Sequence, residues 1–180
     1  MSIKLDFQPA VEHSELLASS VFAHIQSLPE ESAQEIRVAE IDPQFTGGIE
    51  FCETYGSTQD ETANCLVVEC VRNDVITYAA CLVPVAAKKI DFNGVVRRYM
   101  NARRVSFAPL ELIVETTGME YGGITVVGLP PEWQILVAPS LMEHERIVIG
   151  SGIQNSKISM PTALLRDASN VAVVEGICQM

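Results

Sequence analysis

Aromatic residues make up only 6% of the 180 positions, with a single tryptophan, Trp133, and charged residues only 19%. With 48% hydrophobic residues beside so little charge, the chain has ample material for a core, which excludes a mainly disordered polymer. Long apolar runs are missing. The longest, such as Ala79 to Ala87, reach about half of the roughly 20 residues a membrane-spanning helix needs, so a soluble protein is expected. The opening Met1-Ser2-Ile3-Lys4-Leu5-Asp6-Phe7 has no basic stretch followed by an apolar one, and a cytoplasmic location is the expectation. There is no C-x-x-C pair. The five cysteines, Cys52, Cys65, Cys70, Cys81 and Cys178, are odd in number and sit mostly in apolar runs, as packed reduced thiols do. His13, His24 and His144 show no ligand spacing with them, so neither a metal nor a cofactor is expected. A P-loop, a dinucleotide fingerprint and a G-x-S-x-G nucleophile elbow are all absent.

Basic residues are scarce in the first third: residues 1–62 hold twelve acids against Lys4 and Arg37 alone. Half of all the basic residues instead crowd into residues 88–104, as Lys88, Lys89, Arg97, Arg98, Arg103 and Arg104 against the single acid Asp91. On a molecule of net charge -11 this cluster is either a local phosphate-contacting patch or a solvated face paired with the acidic N-terminal third.

The order of elements follows from periodicity and punctuation. Leu17, Val21, Ile25 and Leu28 at helical spacing predict an amphipathic helix over about 12–28, ended by Pro29, with His24 packed beside its apolar stripe. Glu35 to Ile41 reads as a strand stopped by Asp42-Pro43, and Thr46-Gly47-Gly48 as loop. Cys65 to Arg72 and Val75 to Val83 flank Asn73-Asp74, two residues tolerant of positive φ, and predict a β-hairpin. A helix carrying most of the basic cluster is expected over 92–104, and another over Ala108 to Thr117 closed by Gly118. Ile124 to Val127 reads as a β-rich segment. Strands follow at Gln134 to Val137, Arg146 to Ile149 and Lys157 to Met160, then a helix opened by Pro161 and a strand at Val171 to Val174. No repeat or linker interrupts the chain. One domain spanning 1–180 is expected, of α+β class, with a mixed sheet closing into a barrel-like core and helices on its flanks.

Three features suit a ligand. The segment Thr116 to Gly128 holds four glycines, Gly118, Gly122, Gly123 and Gly128, which let backbone N–H groups approach a ligand closely. Gly150-Ser151-Gly152 directly follows a predicted strand. Asn64 opens the first hairpin strand on the face of Leu66, Val68 and Cys70, as a strand cap or as a ligand contact.

Taken in order, Asn64-Cys65-Leu66-Val67-Val68, the basic segment with Arg104-Val105-Ser106-Phe107-Ala108, Thr117-Gly118-Met119, Gly122-Gly123-Ile124-Thr125-x-x-Gly128 and Gly150-Ser151-Gly152 resemble the YbaK/prolyl-tRNA synthetase-associated editing domain family. The resemblance covers residues 30 to 175, and its most specific part is T-G-x(3)-G-G-x-[ST]. It implies hydrolysis of the ester in a mischarged aminoacyl-tRNA without a metal, by a trans-acting deacylase acting alone or with an aminoacyl-tRNA synthetase. A binding module of the same fold, without turnover, is the alternative.

The resemblance implies a substrate site built from Thr117, Gly118, Gly122, Gly123, Thr125, Gly128, Gly150, Ser151 and Gly152, with the basic cluster on acceptor-stem phosphates. Two positions depart from the family's pattern: Asn64 stands where a lysine is implied, and Val126 where a proline is. An amide can donate a hydrogen bond to a developing oxyanion, but without the charge that roughly doubles its strength.

Overall fold

The computed structural model describes residues 2–180. Strand β1 (Gln8–Pro9) is followed by two 3-10 turns and helix α1 (Ser19–Ser27), then α2 (Glu30–Glu35) and β2 (Arg37–Glu40). The helix expected from residue 12 begins only at Ser19, because Leu17 is extended and Ala18 caps it, the Ala18 N–H donating to the Ser151 carbonyl at 3.1 Å. Val21 and Ile25 of α1 are fully buried, as their spacing requires. Gly48 does not stay in a loop. It starts α3 (Gly48–Tyr55), whose Phe51 and Cys52 are buried and whose end is set by Gly56 at φ 73°.

The hairpin forms as read. β3 (Ala63–Arg72) and β4 (Val75–Pro84) pair antiparallel from Ala63 opposite Pro84 to Arg72 opposite Val75, with Asn73 and Asp74 at φ 49° and 62°. The basic stretch is not one helix. After the short strand β5 (Lys89–Ile90), Asp91 caps a wide helical turn at Phe92–Val96 by accepting from the Gly94 and Val95 N–H groups. The three-residue α4 (Arg97–Tyr99) follows, Asn101 turns the chain at φ 49°, and β6 (Arg104–Phe107) continues extended. Helix α5 (Leu110–Thr117) closes on Gly118 in the left-handed conformation.

Ile124 to Val127 forms no strand. Gly122 and Gly128, both at positive φ, bracket it into a buried turn that sends Val126 and Val127 into the core. The remaining elements are β7 (Gln134–Val137), β8 (Arg146–Gly150), β9 (Ser156–Pro161), α6 (Ala163–Arg166), β10 (Val171–Val173) and β11 (Cys178–Gln179).

The class is α+β, but no sheet closes into the expected barrel. A five-stranded sheet of order β10-β7-β4-β3-β6 mixes parallel and antiparallel pairs, a four-stranded sheet runs β1-β2-β9-β8, and β11 pairs with β5. Closure fails because the large sheet ends on β6 and β10 without pairing them, and a single parallel bridge between Thr62 and Val148 joins it to the smaller sheet. Between them lies one core to which Val67, Leu82 and Leu136 of the larger sheet and Val38, Ile149 and Ile158 of the smaller contribute. Each fully buried aliphatic side chain of this kind is worth about 1.5–3 kcal/mol over its exposed state. No helix among the described residues is long and apolar enough to cross a membrane.

Candidate functional site

A cavity of about 390 Å³ opens where the start of β3, the start of α3, the end of β8 and the Gly122 turn meet. Asn64, Cys65, Leu66 and Val67 line one wall, Phe107, Ala108, Leu110 and Ile113 another, and Tyr121, Gly122, Ile124 and Gly150 the third. Thr46, Gly47, Gly48, Ala63 and Lys157 complete it. The mouth is apolar. Tyr121 and Phe107 are 70% and 63% exposed, and Phe107 is braced edge-on by Phe92 at 5.2 Å between ring centroids.

The glycines on this wall are demanded by close approach. The backbones of the two glycine segments are joined, the Gly152 N–H donating to the Gly123 carbonyl and the Glu120 N–H to the Gly152 carbonyl, both at 2.8 Å. A Cβ on Gly150 would lie 2.5 Å from the Gly123 carbonyl oxygen, and one on Gly123 would lie 2.5 Å from the Ile153 carbonyl oxygen. Side chains there would force the two segments apart.

Of the residues expected in the substrate site, Asn64, Gly122 and Gly150 face this one cavity. Asn64 lies across the start of α3, its Oδ1 3.0 Å from where a Gly48 Cβ would be. The others lie outside its lining. Thr117 is buried, its hydroxyl donating to the Ile113 carbonyl at 2.6 Å and accepting from the Met119 N–H at 3.1 Å. Ser151 is fully buried, its Oγ bonded to the Ser156 carbonyl at 3.1 Å and the Ser156 hydroxyl at 2.7 Å. Gly118 caps α5, Gly128 lies against the Ser20 backbone, and the Gly123 and Gly152 N–H groups are taken by the Glu120 and Gly123 carbonyls. Thr125 is fully buried, and its hydroxyl has no partner among the described residues. Lys88, Lys89, Arg97, Arg98, Arg103 and Arg104 are all exposed, and β6 leads from the arginines to Phe107 at the mouth.

Thr46, Phe107, Tyr121 and Lys157 line the cavity without having been anticipated as site residues. Lys157 was read only as part of a strand. It is 7% exposed, donates from Nζ to the Thr46 carbonyl at 2.9 Å, and holds its ammonium 5.4 Å from the centre of the Phe51 ring. Burial pulls its pKa down to about 8. A lysine amid the alternation of Ser156 to Met160 was the available signal, since charge in a buried strand asks for a partner.

The chemistry of the lining is narrow. It contains no Asp, Glu or His, so no side chain in it is an ordinary general base. The Cys65 thiol is pushed far above its usual range by burial, with the neighbouring Cys81 adding to the effect, which keeps it protonated and unsuited to nucleophilic attack. What remains is a hollow of mixed polarity whose side chains offer an amide, an ammonium and the Thr46 and Tyr121 hydroxyls. Such a lining can donate hydrogen bonds to an oxygen and stabilise negative charge on it, and it offers no activated nucleophile. Among the described residues no group of three or more His, Cys, Asp or Glu is placed to hold a metal ion.

The fold is α+β, with a glycine-walled hollow free of Asp, Glu and His beside the β3–β4 hairpin. The chain matches the aminoacyl-tRNA editing domain family over residues 45–168, and it belongs to that family. Among solved structures, a protein described as hypothetical superposes with a TM-score of 0.69 at 20% identity, covering 84% of this chain and 98% of its own. Another, described as "a putative trans-editing enzyme for prolyl tRNA synthetase", gives a TM-score of 0.69 at 19% identity over 88% of this chain and 98% of its own. At these identities the likeness is one of fold. Among curated proteins none matches the chain significantly.

Proposed function

We propose that this chain is a trans-acting aminoacyl-tRNA deacylase that hydrolyses the ester of mischarged tRNA in the cavity beside Asn64. The observation that carries this reading is the cavity itself: Asn64, Gly122 and Gly150, from three separated stretches of sequence, line one hollow of about 390 Å³. Its size and its Leu66, Ile113 and Ile124 walls suit an aminoacyl group with a small, uncharged side chain.

The lining holds no carboxylate or imidazole, and the resemblance to the family implies that the attacking water is activated by the substrate's own terminal ribose hydroxyl. The exposed aromatic rings at the mouth offer stacking faces to the unpaired bases of an acceptor end. The exposure of the arginines leading into β6 supports contacts with the phosphates that follow. With a net charge of -11 the molecule as a whole repels RNA, so capture rests on this local cluster.

The test is a panel of mischarged tRNAs incubated with the protein, read as loss of ester-linked amino acid. At least one is expected to be hydrolysed well above its rate in buffer. For that substrate, Asn64→Ala should lower kcat/KM about tenfold, the worth of one neutral donor. A panel in which every ester decays at the buffer rate refutes the proposal.

A further inference from the structure

We propose that Lys157 is the pocket's cationic donor, and that its ammonium holds the carbonyl oxygen of the aminoacyl ester. The inference deepens the deacylase reading and rests on it for the identity of the ligand, but its structural basis is separate.

An ammonium removed from water is costly unless it is paired, and lysine is almost never this buried without a carboxylate beside it. Lys157, 7% exposed, has no Asp or Glu within ion-pair distance among the described residues. Its one hydrogen bond is to the Thr46 carbonyl, which leaves two of three N–H donors for something else. Its neighbours on either side along the sheet are Ala39 of β2 and Gly150 of β8, neither able to balance charge. The titratable group facing it from α3 is the Cys52 thiol, held protonated chiefly by burial. The Phe51 ring and the Thr46 carbonyl offset part of the cost of burying it, but neither carries a formal charge. A lysine on the wall of a cavity, with donors to spare and no counter-charge, fits an oxygen ligand that is absent until substrate enters.

In the step this implies, water attacks the ester carbonyl carbon and the carbonyl π electrons move onto its oxygen, where the Lys157 ammonium holds the negative charge. Collapse reforms the carbonyl and breaks the bond to the ribose oxygen. The proton lost by water passes through the neighbouring ribose hydroxyl to that leaving oxygen. The products are a free amino acid and an uncharged tRNA end, and Lys157 keeps its proton throughout.

The experiment compares wild type, Lys157→Met and Lys157→Arg on the mischarged tRNA hydrolysed fastest in the panel, after subtraction of uncatalysed ester decay. Folding is checked by circular dichroism. Loss of one oxyanion donor predicts that Lys157→Met lowers kcat/KM by about 10² or more and that Lys157→Arg restores part of it. The wild-type kcat/KM should fall as pH rises through about 8, where the ammonium titrates, while the Lys157→Arg profile stays flat there. If Lys157→Met does not fold, the two pH profiles decide alone.

Activity of Lys157→Met within threefold of wild type, or identical pH profiles for wild type and Lys157→Arg, overturns the proposal while leaving the deacylase reading intact. If wild type hydrolyses nothing, binding of an adenosine carrying an amide-linked alanyl group at its 3′ position is measured instead. Tenfold weaker binding by Lys157→Met would then uphold the Lys157 assignment although deacylation has failed. Equal binding, or none by either protein, ends both.

Discussion

Lys157 lowers the stability of the fold it serves, and the sign of that effect can be followed with pH. Its pKa falls from an ordinary 10.5 to about 8 on folding, so between those values the unfolded chain binds more protons and stability rises with pH. Below about 8 the cost of the buried charge is present in full, on the order of 3 kcal/mol, and above the unfolded value it is gone. The Cys70 and Cys81 thiols, pushed up by burial to about 11 and about 12, act in the opposite direction. Their contribution is present below their ordinary value and is lost as pH rises past it. Denaturant unfolding of wild type against Lys157→Met cancels that shared term. The substituted protein is expected to be the more stable at pH 7, with the difference shrinking towards pH 10. At Thr125 the buried hydroxyl without a partner predicts that Thr125→Val raises stability by about 1 kcal/mol in the same measurement.

Among the elements, the site depends on how two loops lock together more than on any one of them. The Gly152 N–H to Gly123 carbonyl bond and the missing side chain at Gly150 let the end of β8 lie directly against the turn after α5. Gly150→Ala would place a methyl group 2.5 Å from a carbonyl oxygen, in backbone that cannot yield as a flexible side chain would. It should cost about 1–3 kcal/mol, read as a lower Tm, and reduce deacylation through displacement of the Gly122 wall. A Gly150→Ala protein with unchanged Tm would show that the two loops are free to separate.

Charge acts across the whole molecule. A body of net charge -11 with Arg97, Arg98, Arg103 and Arg104 exposed on the segment that leads to Phe107 should bind tRNA weakly and with strong dependence on salt. Each phosphate contact removed should flatten the slope of log K against log salt by about 0.7–0.9. Joint replacement of Arg97, Arg98, Arg103 and Arg104 by glutamine therefore tests the cluster, with tRNA binding measured between low and physiological salt. An unchanged slope would mean that these side chains form only a solvated face.

Much of the fold was legible because local rules suffice for it. The hairpin over Asn73-Asp74, strands β7, β8 and β9, and the Gly118 cap of α5 all rest on turn chemistry and alternation within a few residues. The shortened α1, the helix begun at Gly48, and the basic stretch divided between α4 and β6 did not follow from local pattern. Each is set by partners remote in sequence or by one residue turning the chain, such as the Ser151 carbonyl at Ala18 and Asn101 at positive φ. The sequence by itself determined the α+β class, because composition and periodicity lie along the chain, and its resemblance to a known family joined the glycine segments and Asn64 in one pattern. Only the tertiary structure decided that the sheets stay open, that the Ser151 and Thr117 hydroxyls are buried and bonded to nearby groups of the chain, and that Lys157 shares a cavity with Asn64. A buried charge has no periodic signature, and its neighbours are chosen by packing between β9 and α3, segments about a hundred residues apart.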